Sequence, residues 1–583
     1  MAVALTPIFV LNLRRMKVMG TRRMNASSRR NPIFWNLAIL KDWKRPDFVL
    51  WTGILIFCVW LAIGLNFFDD YGGFTDELVE VQTASVNVKY IFSKLPMLAD
   101  VRSLKLPMYG ELDELPDLLT YKDRVYGVTA LLPTVFINLL PGVSLNLAQF
   151  LKFRRLYIFL TVVFAAGCFF VYLRRRWQCG WTPVFGLAVL ILSPRFFAES
   201  FYNSKDIVFF AWFLIALSCC GAYMVDRSRQ AIGFFLPAFA LTANARYFGF
   251  GLLPAFLALI ALSEARTGRP LKEILRLEFL TLVGSAACFY LVSPYLWEMN
   301  LGSILSGLTF VTNLPGIGDA ELFLGTLVAP RDVPLYLAVW IGITTPVFYL
   351  LLFLIGVGGA ISSVVRQNGL VKVSGGVLFD LFSLGLILVY YALIVLSKAT
   401  IYHGWRHAYF LYAPMLVLIA SGFDRLSTAI GRKPAWAKVG RGIVIAGCVL
   451  SFGFTAFWIA SNHPLDFAYF NAIGRPIASG FSRDSWGVGS RPCIEYLAHA
   501  TSKEQLQFGV NEDLTYGASE FTLWALPESV SSRFRVVWKT ENADAFCYSY
   551  KNYPGNDYQR PGFRLVKTYF VDGAAVVGAY VRE

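Results

Sequence analysis

The chain has 583 residues, 56% of them hydrophobic and only 16% charged, with a mean hydropathy of +0.53. A soluble protein would carry about a quarter charged residues, so the composition excludes an ordinary soluble enzyme and indicates a polytopic α-helical membrane protein. The net charge of +15 does not indicate nucleic acid, because Lys and Arg gather in the segments that membrane proteins keep in the cytoplasm.

Residues 1–48 are basic, with ten Lys or Arg against Asp42 and Asp47, and are expected to be cytoplasmic. The first span, about 49–68, is too long for the apolar core of a signal peptide and lacks a small-residue cleavage site. It delivers the stretch FFDDYGGFTDELVE (67–80) to the outer side, where residues 69–123 hold eleven Asp or Glu against five Lys or Arg. Within that stretch Asp69, Asp70 and Glu80 read as solvated surface.

The next apolar segment, 125–147, contains Pro133 and Pro141 and is expected to lie on or dip into the outer leaflet. Residues 69–155 then form a first outer loop with interfacial helices, and 156–173 crosses back to Arg174, Arg175 and Arg176. Spans near 181–194 and 207–225 follow, then a hairpin of two short spans at 231–262 with NAR (244–246) at its outer turn. Spans near 279–294, 336–357, 377–397, 408–424 and 442–460 bring the count to about eleven. Basic loops at 226–230, 263–276, around Arg366 and Lys372, and at 425–441 fall inside by this parity. Residues 49–460 are thus the transmembrane domain, with the N-terminus cytoplasmic and the C-terminus outside.

The tail, 461–583, is polar and predicted to be a small α/β extracytoplasmic domain. Its strands include LQFGV (506–510), FRVVW (534–538) and a last hairpin turning at Asp572-Gly573. Of nine Cys, only Cys493 and Cys547 fall in this segment, and outside the cytoplasm they could form one disulfide.

The unusual polar residues collect on the outer face, where ionisable groups near a membrane boundary suggest a site. Asp76 and Glu77 offer carboxylates, while Lys205, Arg246 and Arg406 offer cations at helix ends. Such cations suit a phosphate or pyrophosphate, and a carboxylate opposite them suits removal of a proton from an attacking hydroxyl. Simpler readings exist: Arg246 as a residue snorkelling to headgroups, Lys205 and Asp206 as an interfacial anchor and a helix N-terminal charge. His403 and His407, four apart, would share a helix face, which alone is weak evidence for a metal.

Taken in order, the acidic pair after the first span, SPRFFAESFYNSKD (193–206), TANARYFGFGLLP (242–254), VPLYLAVWIGITTPVFYLLL (333–352), YHGWRHAYFLYAP (402–414) and NHPLDFAYFN (462–471) resemble the GT-C superfamily of membrane glycosyltransferases. The nearest branch is the family 39-like enzymes, relatives of protein O-mannosyltransferases and the lipid A aminoarabinose transferase. The resemblance covers nearly the whole chain. It implies a polyprenyl-phosphate-linked sugar donor presented at the extracytoplasmic surface and inverting transfer to a hydroxyl of a lipid, glycan or protein. Asp76 would be the general base, and Glu77 would position the acceptor or Asp76. Lys205, Arg246 and Arg406 would bind the lipid phosphate, and Tyr202, Asn203, His403 and His407 are candidates for sugar or acceptor contacts.

The chain departs from the pattern at Leu78, where many relatives have Pro or a small residue, and at Glu199, which has no His beside it. The second departure leaves a divalent metal requirement open; no other cofactor is implied. From RPIASGFSRDSWGVGSRPCIEYL (475–497), where relatives enter a soluble domain, no catalytic residue is carried over. The expected location is the bacterial inner membrane, with membrane lipids as partners. Two alternatives differ in class: a lipid or glycan transporter or flippase, against which the absence of internal repeats and midplane charges speaks, and a non-catalytic assembly protein on the same scaffold.

Overall fold

A computed structural model describes residues 47–95, 105–106, 110–140, 142–178, 180–298, 320–431, 434–501, 503–510 and 517–583. Residues 1–46 of the basic N-terminal segment, and Pro141, lie outside the described residues. Among those described, nine helices are long and apolar enough to cross a membrane: Phe48–Phe67, Leu147–Arg176, Asp206–Asp226, Tyr247–Ala265, Leu271–Leu291, Val347–Arg366, Gly375–Leu396, Arg406–Gly431 and Ala437–Asn462. Two shorter helices, Thr182–Ile191 and Arg229–Ala245, stand where the other two spans were expected. The chain is a polytopic helical membrane protein.

Helix Asp206–Asp226 is buried along nearly its whole length and forms the centre of the bundle. Helix Leu271–Leu291 is peripheral and exposes Leu271, Leu275, Phe279 and Leu280, an apolar surface that lipid rather than water would cover. Helices Val347–Arg366 and Tyr412–Gly431 cross at a reciprocal glycine contact. A Cβ on Gly356 would lie 2.0 Å from the Leu418 carbonyl oxygen, and one on Gly422 would lie 2.0 Å from that of Leu352. Only glycine allows the two backbones this close.

Two expectations change. The bases Lys152, Arg154 and Arg155 do not sit in a loop between 125–147 and 156–173. Asn146 starts the helix at Leu147 with a capping box shared with Gln149, which places all three bases within its first turns. The segment before it is broken into the short turns Thr129–Leu131, Leu132–Phe136 and Ile137–Leu139 and contains no span among its described residues. The run 336–357 is two helices, Tyr336–Thr344 and Val347–Arg366, interrupted at Pro346. Proline carries no N–H to continue the ladder, and Asn471 Nδ2 supplies donors to the carbonyls of Gly342 (2.7 Å) and Thr345 (2.6 Å).

After the last helix the chain builds a five-stranded sheet. Strands Phe534–Val537, Leu506–Gly509 and Ala545–Ser549 are parallel, and Ala574–Arg582 and Phe563–Val571 complete it antiparallel in that order. Asp572 and Gly573 both take positive φ, 49° and 82°, as a tight hairpin turn requires. Helix Ser490–Ala500 packs on the sheet, and Cys493 is disulfide-bonded to Cys547 of the central strand. The hairpin turn docks on the last transmembrane helix, where Trp458 Nε1 donates to the Asp572 carboxylate (3.0 Å), and Arg475 of the tail pairs with the same group at 3.0 Å.

Candidate active site

All five carboxylates of the acidic stretch face basic side chains from distant parts of the chain. Asp69 pairs with Lys152 (2.7 Å) and Arg155 (3.1 Å), and Asp70 with His463 Nε2 (2.9 Å). Glu77 and Glu80 both face Arg154, at 3.7 and 3.3 Å. Ser204 also donates to Glu80. Glu80 is therefore buried, not the solvated surface residue expected from its loop; its helix, Glu77–Ser93, turns that face against Arg154. Burial pushes the carboxyls of Glu77 and Glu80 up, with Arg155 and Arg154 pulling the first back and Lys205 and Arg154 the second.

Asp76 is different. It occupies the N-cap position of helix Glu77–Ser93 but makes no side-chain capping bond. Its carboxylate instead faces Arg406 at 3.8 Å and stays one-third exposed (33%), whereas Arg406 is nearly sealed (3%). Arg406 Nη1 is also 3.6 Å from Asp206, whose other oxygen is bonded to Arg246. The result is a row of alternating charge, Asp76–Arg406–Asp206–Arg246, drawn from four elements. Arg406 Nε and Nη1 and Arg246 Nε are buried without a hydrogen-bond partner among the described residues. Buried guanidinium nitrogens without acceptors are donors suited to an anionic ligand.

Lys205 ends the turn before helix Asp206–Asp226, with its ammonium 4.3 Å from the Tyr126 ring centroid. No carboxylate lies within ion-pair distance of it among the described residues. It lines a cleft with Glu80, Ser204, Tyr126, Val79 and Val208. Arg406 and Arg246 meet on the two oxygens of Asp206, and Lys205 is its immediate neighbour in the chain.

The remaining candidates divide. Asn203 is fully engaged: Nδ2 donates to Glu199 (2.6 Å) and Oδ1 accepts from the backbone N–H of Asp206 (2.8 Å), closing the start of that helix. Tyr202 is buried, and its hydroxyl has no partner among the described residues. His403 sits at φ 59°, held by its own N–H and that of Gly404 to the Glu321 carboxylate. Burial, with Lys551 adding, holds the His403 ring well below the ordinary histidine value, so it is neutral. Beneath these residues, burial pushes Glu199 up to about 7 and Asp466 up to about 6. Glu199 accepts from Tyr409 (2.5 Å) and Asp466 from Tyr71 (2.8 Å).

Sequence reasoning passed over Arg154, Arg155, Asp206 and Trp486. The two arginines were read as loop charges and Asp206 as a helix-end charge. Trp486 lies in the stretch from which nothing was carried over, yet its ring centroid is 4.0 Å from the Arg406 guanidinium. Among the described residues no group of three or more His, Cys, Asp or Glu is placed to hold a metal ion.

No family model and no curated protein matches the chain. Among solved structures it is similar to ArnT from Cupriavidus metallidurans bound to undecaprenyl phosphate, at 14% identity and a TM-score of 0.44, covering 90% of this chain and 97% of that one. The apo state of the same protein matches over the same shares at 14% identity and a TM-score of 0.43.

Proposed function

We propose that the protein is a membrane glycosyltransferase that moves a sugar from a polyprenyl-phosphate donor to a hydroxyl of a lipid, glycan or protein. The observation that carries this reading is the partly exposed Asp76 carboxylate beside buried Arg406, whose Nε has no hydrogen-bond partner among the described residues, with Arg246 paired to the same Asp206 and Lys205 next to it in the chain. Asp76 takes the proton of the acceptor hydroxyl as that oxygen bonds to the anomeric carbon, and the bond from that carbon to the phosphate oxygen breaks with inversion. The polyprenyl phosphate departs with the electron pair, and its charge is met by Arg406, Arg246 and Lys205. Glu77, locked on Arg154, holds the helix start and so the position of Asp76. Tyr202 and His407 face the sugar or the acceptor, and neutral His403 can contribute hydrogen bonds but no charge. The site faces the extracytoplasmic side of a bacterial inner membrane, with the C-terminal domain outside.

Membranes containing wild type or Asp76→Asn at matched levels, supplied with radiolabelled polyprenyl-phosphate sugars, test this directly. Transfer into a lipid, glycan or protein fraction by wild type alone is the expected result and names the acceptor class. Equal transfer by both removes Asp76 from the chemistry, and no transfer by wild type across a donor panel overturns the reading.

A further inference from the structure

The segment 482–490 lies between the last transmembrane helix, which ends at Asn462, and the helix Ser490–Ala500 of the sheet domain, and it reaches both halves of the site. Trp486 covers the Arg406 guanidinium at 4.0 Å while Tyr402 lies 4.7 Å from it. The acidic loop that leads to Asp76 hangs on the same segment. Gly72 N–H donates to the Val488 carbonyl (3.2 Å), Thr75 Oγ1 donates to that of Trp486 (3.2 Å), and the Phe74 ring packs edge-on against Trp486. Gly73 N–H donates to Thr522 of the sheet domain (2.8 Å).

The segment takes its own position from the sheet domain. Arg483 is buried and has no carboxylate partner within ion-pair distance among the described residues. It donates to the carbonyls of Tyr550 (3.1 Å), Tyr553 and Gly555 (3.1 Å) and to Asn556 Oδ1 (3.3 Å). Ser549 holds the Asp484 carbonyl at 3.1 Å, and the Asp484 carboxylate accepts from Gly487 and Gly489, closing the turn that presents Trp486. An aromatic ring on the flat face of a guanidinium restrains its plane and leaves its N–H edge for an anion.

We propose that Trp486, carried into the site by the C-terminal domain, is the positioning residue that orients Arg406 toward an anionic phosphate. The domain is then part of the binding site and not a cover over it. This rests on the phosphate-donor reading given above.

The test uses the full chain in detergent with two probes, farnesyl phosphate and its neutral counterpart farnesol, and thermal unfolding to confirm that each variant is folded. Wild type is expected to prefer the phosphate. Trp486→Ala should weaken farnesyl phosphate binding about tenfold and leave farnesol binding unchanged, while Trp486→Phe restores most of the loss. Arg483→Met should reproduce the alanine effect from outside the site, and the double variant should be no worse than Trp486→Ala alone, because both act on one path. Unchanged phosphate binding in Trp486→Ala, or equal loss of both probes, overturns the positioning role while leaving the donor reading in place. A wild type that does not distinguish the probes overturns the donor reading and this inference with it.

Discussion

Arg154 lies 3.3 Å from Glu80 Oε2 through Nη2 and 3.7 Å from Glu77 Oε1 through Nε, and all three side chains are buried. One cation on the helix Leu147–Arg176 thus anchors two carboxylates of helix Glu77–Ser93, at whose first turn Asp76 stands. Removing one partner of a buried pair leaves uncompensated charge, which costs about 3–5 kcal/mol. Arg154→Met is therefore expected to lower the thermal midpoint in detergent sharply. Adding Glu77→Gln and Glu80→Gln should recover much of the loss, and a single variant as stable as wild type would refute the anchoring role.

Asp76→Asn should separate chemistry from folding. The carboxylate caps nothing and is one-third exposed, so the thermal midpoint should hold. Sugar transfer should fall by about 100- to 10,000-fold, the range expected for losing a general base. A fall in midpoint that parallels the loss of transfer would assign Asp76 a structural role instead.

Glu199 predicts a stability slope with pH. Burial raises its carboxyl from 4.5 to about 7, so between those values the unfolded chain has lost a proton that the folded chain retains. Stability then falls as pH rises through this window, by about 3 kcal/mol in all. Asp466, raised from 3.8 to about 6, adds a slope of the same sign at lower pH, so the interval from about 6 to 7 reports on Glu199. Midpoints of wild type and Glu199→Gln measured across pH 5 to 8 (about one unit beyond each end of that interval) should converge at the acid end, with the variant flatter. Parallel curves would remove Glu199 as the source.

The Cys493–Cys547 disulfide closes a sequence separation of 54 residues. A cross-link over such a loop restricts the unfolded chain by about 4 kcal/mol. Cys493→Ser with Cys547→Ser should lower the unfolding midpoint of the C-terminal domain, followed by limited proteolysis of the sheet. Added reductant should change the wild type toward the variant and leave the variant unaltered. Identical midpoints in all conditions would show the bond to be inconsequential.

Hydropathy and charge asymmetry were enough to place most helices within a few residues, the hairpin turn at Arg246 and the terminal turn at Asp572-Gly573. These features are written in neighbouring residues: an apolar run long enough to cross lipid, a base at its end, an Asp-Gly between alternating strands. Asp76, Lys205, Arg246 and Arg406 could be singled out for the same reason, since each sits at a loop that parity sends to one face. The break at Pro346 interrupts the run read as one span, 336–357, and the carbonyls beside it are satisfied by Asn471, more than a hundred residues away. What only the tertiary structure decided is which charge meets which. Arg154 with Glu80, Arg406 with Asp76 and Asp206, and Trp486 on Arg406 join positions that share no periodicity. Their selection follows from the cost of burying an unpaired charge, which acts only once the helices have packed.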